Sequence, residues 1–155
     1  MDRINVKNII ILSFAAIFTF CCKAQYNIEG NKMNTPEKYN IKIITGDKII
    51  SAVLENNSTV RDLISMLPLE VELKDYAGTE KITYLPGKLS VKDAPSGCDP
   101  SIGDITYYAP WGNIAIFYKD FGYAEGLIKL GKITGGIELL NSPSPIKARI
   151  ELDEE

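Results

Sequence analysis

The feature that most restricts the fold is a series of short segments in which apolar and polar residues alternate. Leu69, Val71 and Leu73, for example, alternate with glutamate and lysine, which is the pattern of a half-buried strand. Turn residues such as Gly46-Asp47 and Pro110-Trp111-Gly112-Asn113 separate the segments. Many short strands joined by close turns predict a mainly β protein, either a closed barrel or a sandwich.

About eight strands and two short helices are predicted along the chain. Val60, Leu63, Ile64 and Leu67 form one apolar stripe, so a helix is expected there, opened by a capping box at Thr59 and ended by proline. A second short helix is expected over 137–140, after a glycine pair. The predicted strands are 39–45, 49–54, 69–73, 81–85, 105–109, 114–118, 127–133 and 146–152.

Composition excludes several classes of function. The length of 155 residues fits one domain. The net charge is -3, whereas a nucleic-acid binder usually has an excess of basic residues. The chain has no histidine, which excludes Ser-His-Asp and Cys-His catalysis and the commonest zinc sites. We therefore expect no cofactor, no metal and no nucleic-acid partner.

The N-terminal segment, residues 1–24, is typical of a signal peptide. Arg3 and Lys7 precede an apolar run over 9–20 that is short for a membrane span. A lipoprotein signal is expected, with Cys21 or Cys22 acylated; cleavage before Gln25 and an uncleaved anchor are the alternatives. Residues 25–38 then form a flexible tether. The sequence thus predicts an exported protein, either anchored in the cell envelope or periplasmic or secreted, whose membrane contact is the anchor alone.

Cys98 is the only cysteine in the predicted domain. Without a partner, a structural disulfide is not expected. Without a histidine to activate the thiol, we expect a buried or simply tolerated side chain rather than a nucleophile.

Several segments resemble cyclophilins, and more closely the bacterial cyclophilin-like proteins, over residues 39–152. The order of elements is similar, and Tyr84-Leu85-Pro86-Gly87 resembles the segment that follows the catalytic arginine of cyclophilins. The resemblance implies a cyclophilin-like closed barrel of about eight strands. The other matching segments are 58–63, 74–81, 107–113, 116–123, 130–133 and 135–138.

Cyclophilins isomerise Xaa-Pro bonds, so the resemblance implies prolyl isomerisation as a candidate activity of this chain. The motif puts Thr83 where cyclophilins carry their arginine, and Ala115 or Ile116, depending on register, where they carry a glutamine. Threonine cannot supply charge-assisted donation. Lys81 could stand in, but an ammonium group poorly copies a guanidinium fork. We therefore expect weak isomerase activity or none.

Aromatic residues cluster late in the chain and indicate a binding cleft. Trp111, in a Pro-Trp-Gly turn, is a candidate for stacking on a ligand, whereas Phe117 and some tyrosines are also suited to fill the barrel. Asp75, Glu80 and Asp120 flank this cluster; two of them could form an acid–base pair or cation site, or all could be solvated. The candidate cleft residues are Tyr84, Trp111, Phe117, Tyr118, Phe121 and Tyr123, with Lys81, Thr83, Glu80 and Asp120 as polar candidates.

Three functions remain open from the sequence. The first is binding of a peptide or small ligand in the aromatic cleft. The second is weak prolyl isomerisation of envelope proteins. The third is docking onto another envelope protein without a small ligand.

Overall fold

The structure, a computed structural model, describes residues 37–154. The predicted export segment, Cys21, Cys22 and most of the tether lie outside the described residues. In the described part, no helix has the length and apolar character needed to cross a membrane. The elements are β1 (Lys38–Thr45), β2 (Lys48–Glu55), α1 (Ser58–Met66), β3 (Leu69–Tyr76), β4 (Glu80–Tyr84), β5 (Gly97–Cys98), β6 (Asp104–Tyr108), β7 (Asn113–Phe117), β8 (Ala124–Glu125), β9 (Leu127–Gly135), a 3-10 helix (Ile137–Leu140) and β10 (Ile146–Leu152).

Eight of these strands form a closed antiparallel barrel in the order β1-β10-β3-β4-β7-β6-β9-β2. β2 pairs with β1 and closes the ring, so no barrel strand presents an unpaired edge. The predicted mainly β fold and closed barrel are confirmed. The second predicted helix is a single 3-10 turn, and β5 and β8 form a separate two-stranded sheet.

Helix α1 begins two residues earlier than the predicted capping box. Asn57 is the N-cap, and its side chain accepts a hydrogen bond from the Val60 amide at 2.9 Å. Thr59 is buried instead, and its hydroxyl donates to the Ser90 carbonyl at 2.7 Å. The capping-box prediction was therefore wrong, because an asparagine just upstream satisfies the first free amides.

Apolar residues are packed on both faces of the central strand β7. Ile114 and Ile116 belong to the barrel interior. Ala115 and Phe117 alternate with them and belong to a second, smaller cluster with Leu127. Cys98 of β5 and Ala124 of β8 pack against this second cluster, so the small sheet covers the outer face of the barrel at this point. A cleft remains open beside it.

Candidate functional site

The cleft lies on the outer face of strands β3, β4, β7 and β6 and has a volume of about 230 Å³. A larger depression of about 370 Å³, between Lys42, Pro68 and Glu151, has no aromatic lining. The residues that line the cleft are Tyr76, Glu80, Ile82, Tyr108, Trp111, Asn113, Ala115, Phe117, Phe121, Ala124 and Leu127.

Strand register places Glu80 and Asn113 at opposite ends of this cleft. Glu80 pairs with Tyr76 on one side and with Phe117 on the other. Asn113 pairs with Tyr84, four positions further along β4, which is about 13 Å along a strand. The apolar pair Ile82 and Ala115 forms the floor between them. The cleft is therefore elongated, with a polar group at each end and an apolar middle.

Aromatic rings form the walls. Trp111 meets Tyr76 and Tyr108 nearly at right angles, with ring centroids 5.7 and 5.4 Å apart, an arrangement that aromatic pairs favour. Phe117 and Phe121 lie 5.8 Å apart. Trp111 is 49% exposed and Phe121 is 48% exposed, although both are large apolar side chains. The walls therefore combine a fixed geometry with ring surface that remains accessible.

Two buried oxygen atoms at the cleft have no hydrogen-bond partner among the described residues. They are Oε2 of Glu80 and Oδ1 of Asn113. Asp104 Oδ1 differs from these two, since the Lys129 ammonium lies 2.9 Å away. Leaving a buried polar atom unpaired costs about 1–3 kcal/mol. Such a cost calls for an explanation, and a ligand that supplies donors is one.

The Asn113 amide has a defined orientation. Its Nδ2 donates to the Ile114 carbonyl at 3.2 Å. If Oδ1 and Nδ2 exchanged places, Oδ1 would face the Ile114 carbonyl oxygen, and two acceptors cannot pair. The unpaired atom is therefore the acceptor Oδ1.

Glu80 has a perturbed acidity. The residue is buried, with 9% of its surface exposed. Burial, and secondly the negative charge of Asp75, raise the pKa of Glu80 to about 7 from 4.5. Both effects disfavour the charged form. Near neutral pH the carboxyl group is thus poised between an acceptor-only carboxylate and a neutral acid that can donate.

Behind the cleft, a polar network fills one end of the barrel. Lys81 is fully buried, and its ammonium group lies 3.3 Å from the Asp75 carboxylate. It also donates to the carbonyls of Ser142 and Ser144. The Tyr118 hydroxyl donates to Asp75 at 2.5 Å. The hydrogen bond from Tyr118 lowers the pKa of Asp75, and the hydrogen bond and positive charge of Lys81 lower it further. Burial, and secondly the hydrogen bond to Asp75, raise the pKa of Tyr118 to about 12.

The structure brings together four of the ten sequence-predicted candidates: Glu80, Trp111, Phe117 and Phe121 line the cleft. Lys81 and Thr83 alternate with Glu80 and Ile82 on β4, so they lie on the interior face. Ala115 lies in the cleft and Ile116 in the interior.

The remaining candidates lie away from the cleft lining. Tyr84 and Tyr123 are 62% and 63% exposed, and the Tyr123 hydroxyl shares a hydrogen bond with Ser96. Tyr118 is half-buried and belongs to the polar network around Asp75. Asp120 accepts a hydrogen bond from the Ile102 amide at 2.9 Å, so its carboxylate holds a loop.

Sequence reasoning missed Tyr76, Tyr108 and Asn113 as site residues. The aromatic character of Tyr76 and Tyr108 was visible, but their position depends on how β3, β4, β7 and β6 pair. A usable signal was alternation: Asn113, Ala115 and Phe117 share one strand face. Asn113 interrupts that otherwise apolar face with a polar group.

The described residues were also considered as metal ligands and as a thiol nucleophile. Within residues 37–154, no cluster of three or more histidine, cysteine, aspartate or glutamate side chains is arranged to hold a metal ion. Cys98 is a free, half-buried thiol, and burial, followed by the charge of Asp104, raises its pKa. A raised pKa makes the thiol less nucleophilic at neutral pH.

Comparison with known proteins agrees with the fold. The chain is similar to the solution structure of a hypothetical protein from Archaeoglobus fulgidus, with 15% identity and a TM-score of 0.58. The match covers 77% of this chain and 98% of that one. No curated protein is significantly similar to the sequence. The model of the Cyclophilin-like family matches residues 43–151. The chain therefore belongs to the cyclophilin-like family.

Proposed function

We propose that this cyclophilin-like barrel binds a small ligand, or a single side chain of a peptide, in the aromatic cleft on its outer face. The observation that carries the proposal is the pair of unpaired buried oxygens, on Glu80 and Asn113, at the two ends of one apolar cleft. A ligand that pairs both oxygens would offset the cost of burying them.

The dimensions of the cleft support a small occupant. Pockets for drug-sized ligands usually measure about 300–1,000 Å³, whereas this cleft measures about 230 Å³. An extended peptide would have to leave most of its length outside. A compact molecule, or one inserted side chain, fits this volume better.

Prolyl isomerisation remains a weaker alternative. The residue at the arginine position, Thr83, and the possible stand-in donor, Lys81, both lie on the face of β4 opposite the cleft. The Lys81 ammonium is also held by Asp75. A substrate in the cleft would therefore lack the cationic donor that the cyclophilin mechanism uses, which favours ligand binding over catalysis.

The predicted export segment and lipid anchor set the proposed location. We propose that the barrel meets its ligand in the cell envelope, or outside the cell, rather than in the cytoplasm. The proposal rests on the pattern of residues 1–24 alone.

The test uses the fluorescence of Trp111, the only tryptophan in the chain, which lies in the cleft wall. The purified full chain is titrated with three six-carbon probes: 1-hexanol, hexylammonium chloride and sodium hexanoate. At least one probe should change the fluorescence saturably in the millimolar range or below.

The cleft is then blocked by Ala115→Leu, which places a larger side chain on the floor. The blocked variant should lose the response, while Ala94→Leu, in a loop away from the cleft, should keep it. No saturable response to any of the three probes, or an equal response in the blocked variant, would contradict the proposed function.

A further inference from the structure

We propose that the ligand of this cleft is an organic cation, whose ammonium group contacts the Glu80 carboxylate while its apolar body lies along the Ile82–Ala115 floor. A hydrogen-bond donor at the far end of the ligand pairs with Asn113. This inference rests on the proposed ligand-binding function and adds the chemical class of the ligand.

Hydrogen bonding requires donors on the ligand. Asn113 Oδ1 can only accept, and its Nδ2 already donates to the Ile114 carbonyl. The Glu80 carboxylate also accepts only, once it is ionised. A ligand with an acceptor at each end, such as a dicarboxylate, would leave the Asn113 oxygen unpaired, and the Glu80 oxygen as well once Glu80 is ionised.

Charge favours a cation over a neutral donor. Glu80 is the one charged residue among the described residues that line the cleft, and the carboxylate of Asp75 acts on it through space. Asp75 has its own partners, Lys81 and Tyr118. Within residues 37–154, Glu80 Oε2 has no comparable partner. The charge that lines this end of the cleft is therefore negative once Glu80 is ionised.

The aromatic walls favour the same charge. Tyr76, Tyr108, Trp111, Phe117 and Phe121 surround the cleft. An ammonium group over an aromatic ring gains about 0.5–1 kcal/mol at exposed sites and about 2 or more when desolvated. Anions gain nothing comparable from ring faces. A carboxylate bordered by aromatic rings thus selects cations on two independent grounds.

The first test compares hexylammonium chloride with 1-hexanol, which has the same carbon chain without the charge. The purified full chain is titrated at pH 8, and the response of Trp111 is followed. Hexylammonium should bind about tenfold more tightly than 1-hexanol. If 1-hexanol binds as tightly or more tightly, the cation proposal is wrong, while the proposed binding function survives.

The pH dependence gives a second test that needs no variant. Hexylammonium stays protonated between pH 6 and 8, as lysine does, whereas Glu80 loses its proton over this range. The affinity for hexylammonium should therefore rise several-fold from pH 6 to pH 8, and that for 1-hexanol should stay constant. Equal pH dependence for the two probes would overturn the proposal.

Asp75 and Tyr118, the two groups whose charges interact with Glu80, do not account for such a change. The pKa of Asp75 is lowered, and that of Tyr118 is raised to about 12, so neither group titrates between pH 6 and 8. The other titratable side chains beside Glu80 are Tyr76, its register partner on β3, Lys81, the next residue on β4, and Lys119 and Asp120, which follow β7.

Matched variants assign the effect to one carboxylate. Glu80→Gln keeps the shape and removes the charge, and it should weaken hexylammonium binding about tenfold and abolish its pH dependence. Glu125→Gln makes the same change on β8, outside the cleft lining, and should alter the affinity less than twofold. Equal loss in the two variants would mean that diffuse charge, rather than Glu80, attracts the probe.

The far end of the cleft and the source of the ammonium group are tested with two further probes. 6-Aminohexan-1-ol should bind more tightly than hexylammonium, and Asn113→Leu should remove the difference; no difference in the unchanged chain would contradict the role of Asn113.

Nα-Acetyl-lysine methylamide carries the same ammonium group as part of a peptide. Stronger binding of this probe than of hexylammonium would assign the cleft to a lysine side chain, and weaker binding to a free amine.

Discussion

At the scale of single residues, the Lys81 ammonium group is an unusual feature of the barrel because it is fully buried. Its partners are the Asp75 carboxylate and two loop carbonyls. A buried charge is tolerated only with such partners. The same contacts that stabilise this lysine keep it away from the cleft, so its role is to hold the 142–144 loop against the end of the barrel.

Removal of this ammonium group should destabilise the fold. Lys81→Met should lower the free energy of unfolding by about 2–4 kcal/mol, since Asp75 and two carbonyls lose their donor. Urea unfolding measures the change. Lys74→Met is the control, because Lys74 pairs with Glu72 at the surface, where ion pairs contribute about 0–1 kcal/mol. Similar losses in both variants would show that the buried network contributes no more than a surface pair.

Glu80 should make the free energy of unfolding depend on pH. Its pKa is about 7 in the folded chain and 4.5 without the environment of the fold, so the folded state binds more protons between these values. Stability should therefore fall as pH rises from about 4.5 to above 7, by roughly 1–3 kcal/mol. In Glu80→Gln this decline should be absent, and at pH 8 the variant should be the more stable protein. Parallel pH profiles for the two proteins, measured by urea unfolding, would contradict the raised pKa.

Single residues were predicted best where one strand or turn decides their position. Trp111 was a candidate for stacking on a ligand because core burial is hard to arrange in its Pro-Trp-Gly turn, and it lies half exposed in the cleft wall. Lys81, beside Glu80 on the same strand, was a polar candidate for the cleft because its ammonium group could stand in as the donor that Thr83 cannot supply. Alternation along β4 sends the two side chains to opposite faces, and which face is the interior depends on the closed barrel.

At the scale of elements, the contact between β2 and β9 depends on one glycine. A Cβ atom on Gly131 would lie 2.1 Å from the Val53 carbonyl oxygen and 2.7 Å from the Leu54 Cα. Neither atom can move without shifting β2, which pairs with β9 at this point. The two strands approach each other so closely because no side chain separates them.

Gly131→Ala should therefore destabilise the barrel by about 1–3 kcal/mol or more, by overpacking against backbone. Gly135→Ala, in the same strand, is the matched control because a Cβ there meets nothing within 4 Å. Thermal unfolding should give a clear decrease for the first variant and almost none for the second. A similar melting temperature for both would mean that β2 adjusts without cost.

The long elements were predictable because alternation and turn residues act locally. The hairpin of β1 and β2, the helix stripe at Val60 and Leu63, and β10 all follow from neighbouring residues. The two-residue strands β5 and β8 were not predicted. They are too short to show a period, and they exist because their segments pack against the outer cluster.

At the scale of the whole molecule, the cleft is a product of barrel topology. Its residues come from β3, β4, β6, β7, β8 and β9 and from the turns that follow β6 and β7. β4 pairs with β7 rather than with its next neighbour in sequence, which brings Glu80 beside Phe117. The aromatic content of the cleft could be predicted from sequence, but its two polar ends required the register of these strands.

Our proposal that ligands bind in the outer cleft is tested by amide chemical-shift mapping of the isotope-labelled full chain, titrated with hexylammonium chloride at pH 8. We expect saturable shifts at Tyr76, Glu80 and Asn113 and at the Trp111 indole, with none around the depression at Lys42 and Glu151. Saturable shifts confined to that depression, or to surfaces remote from β4 and β7, would contradict the claim.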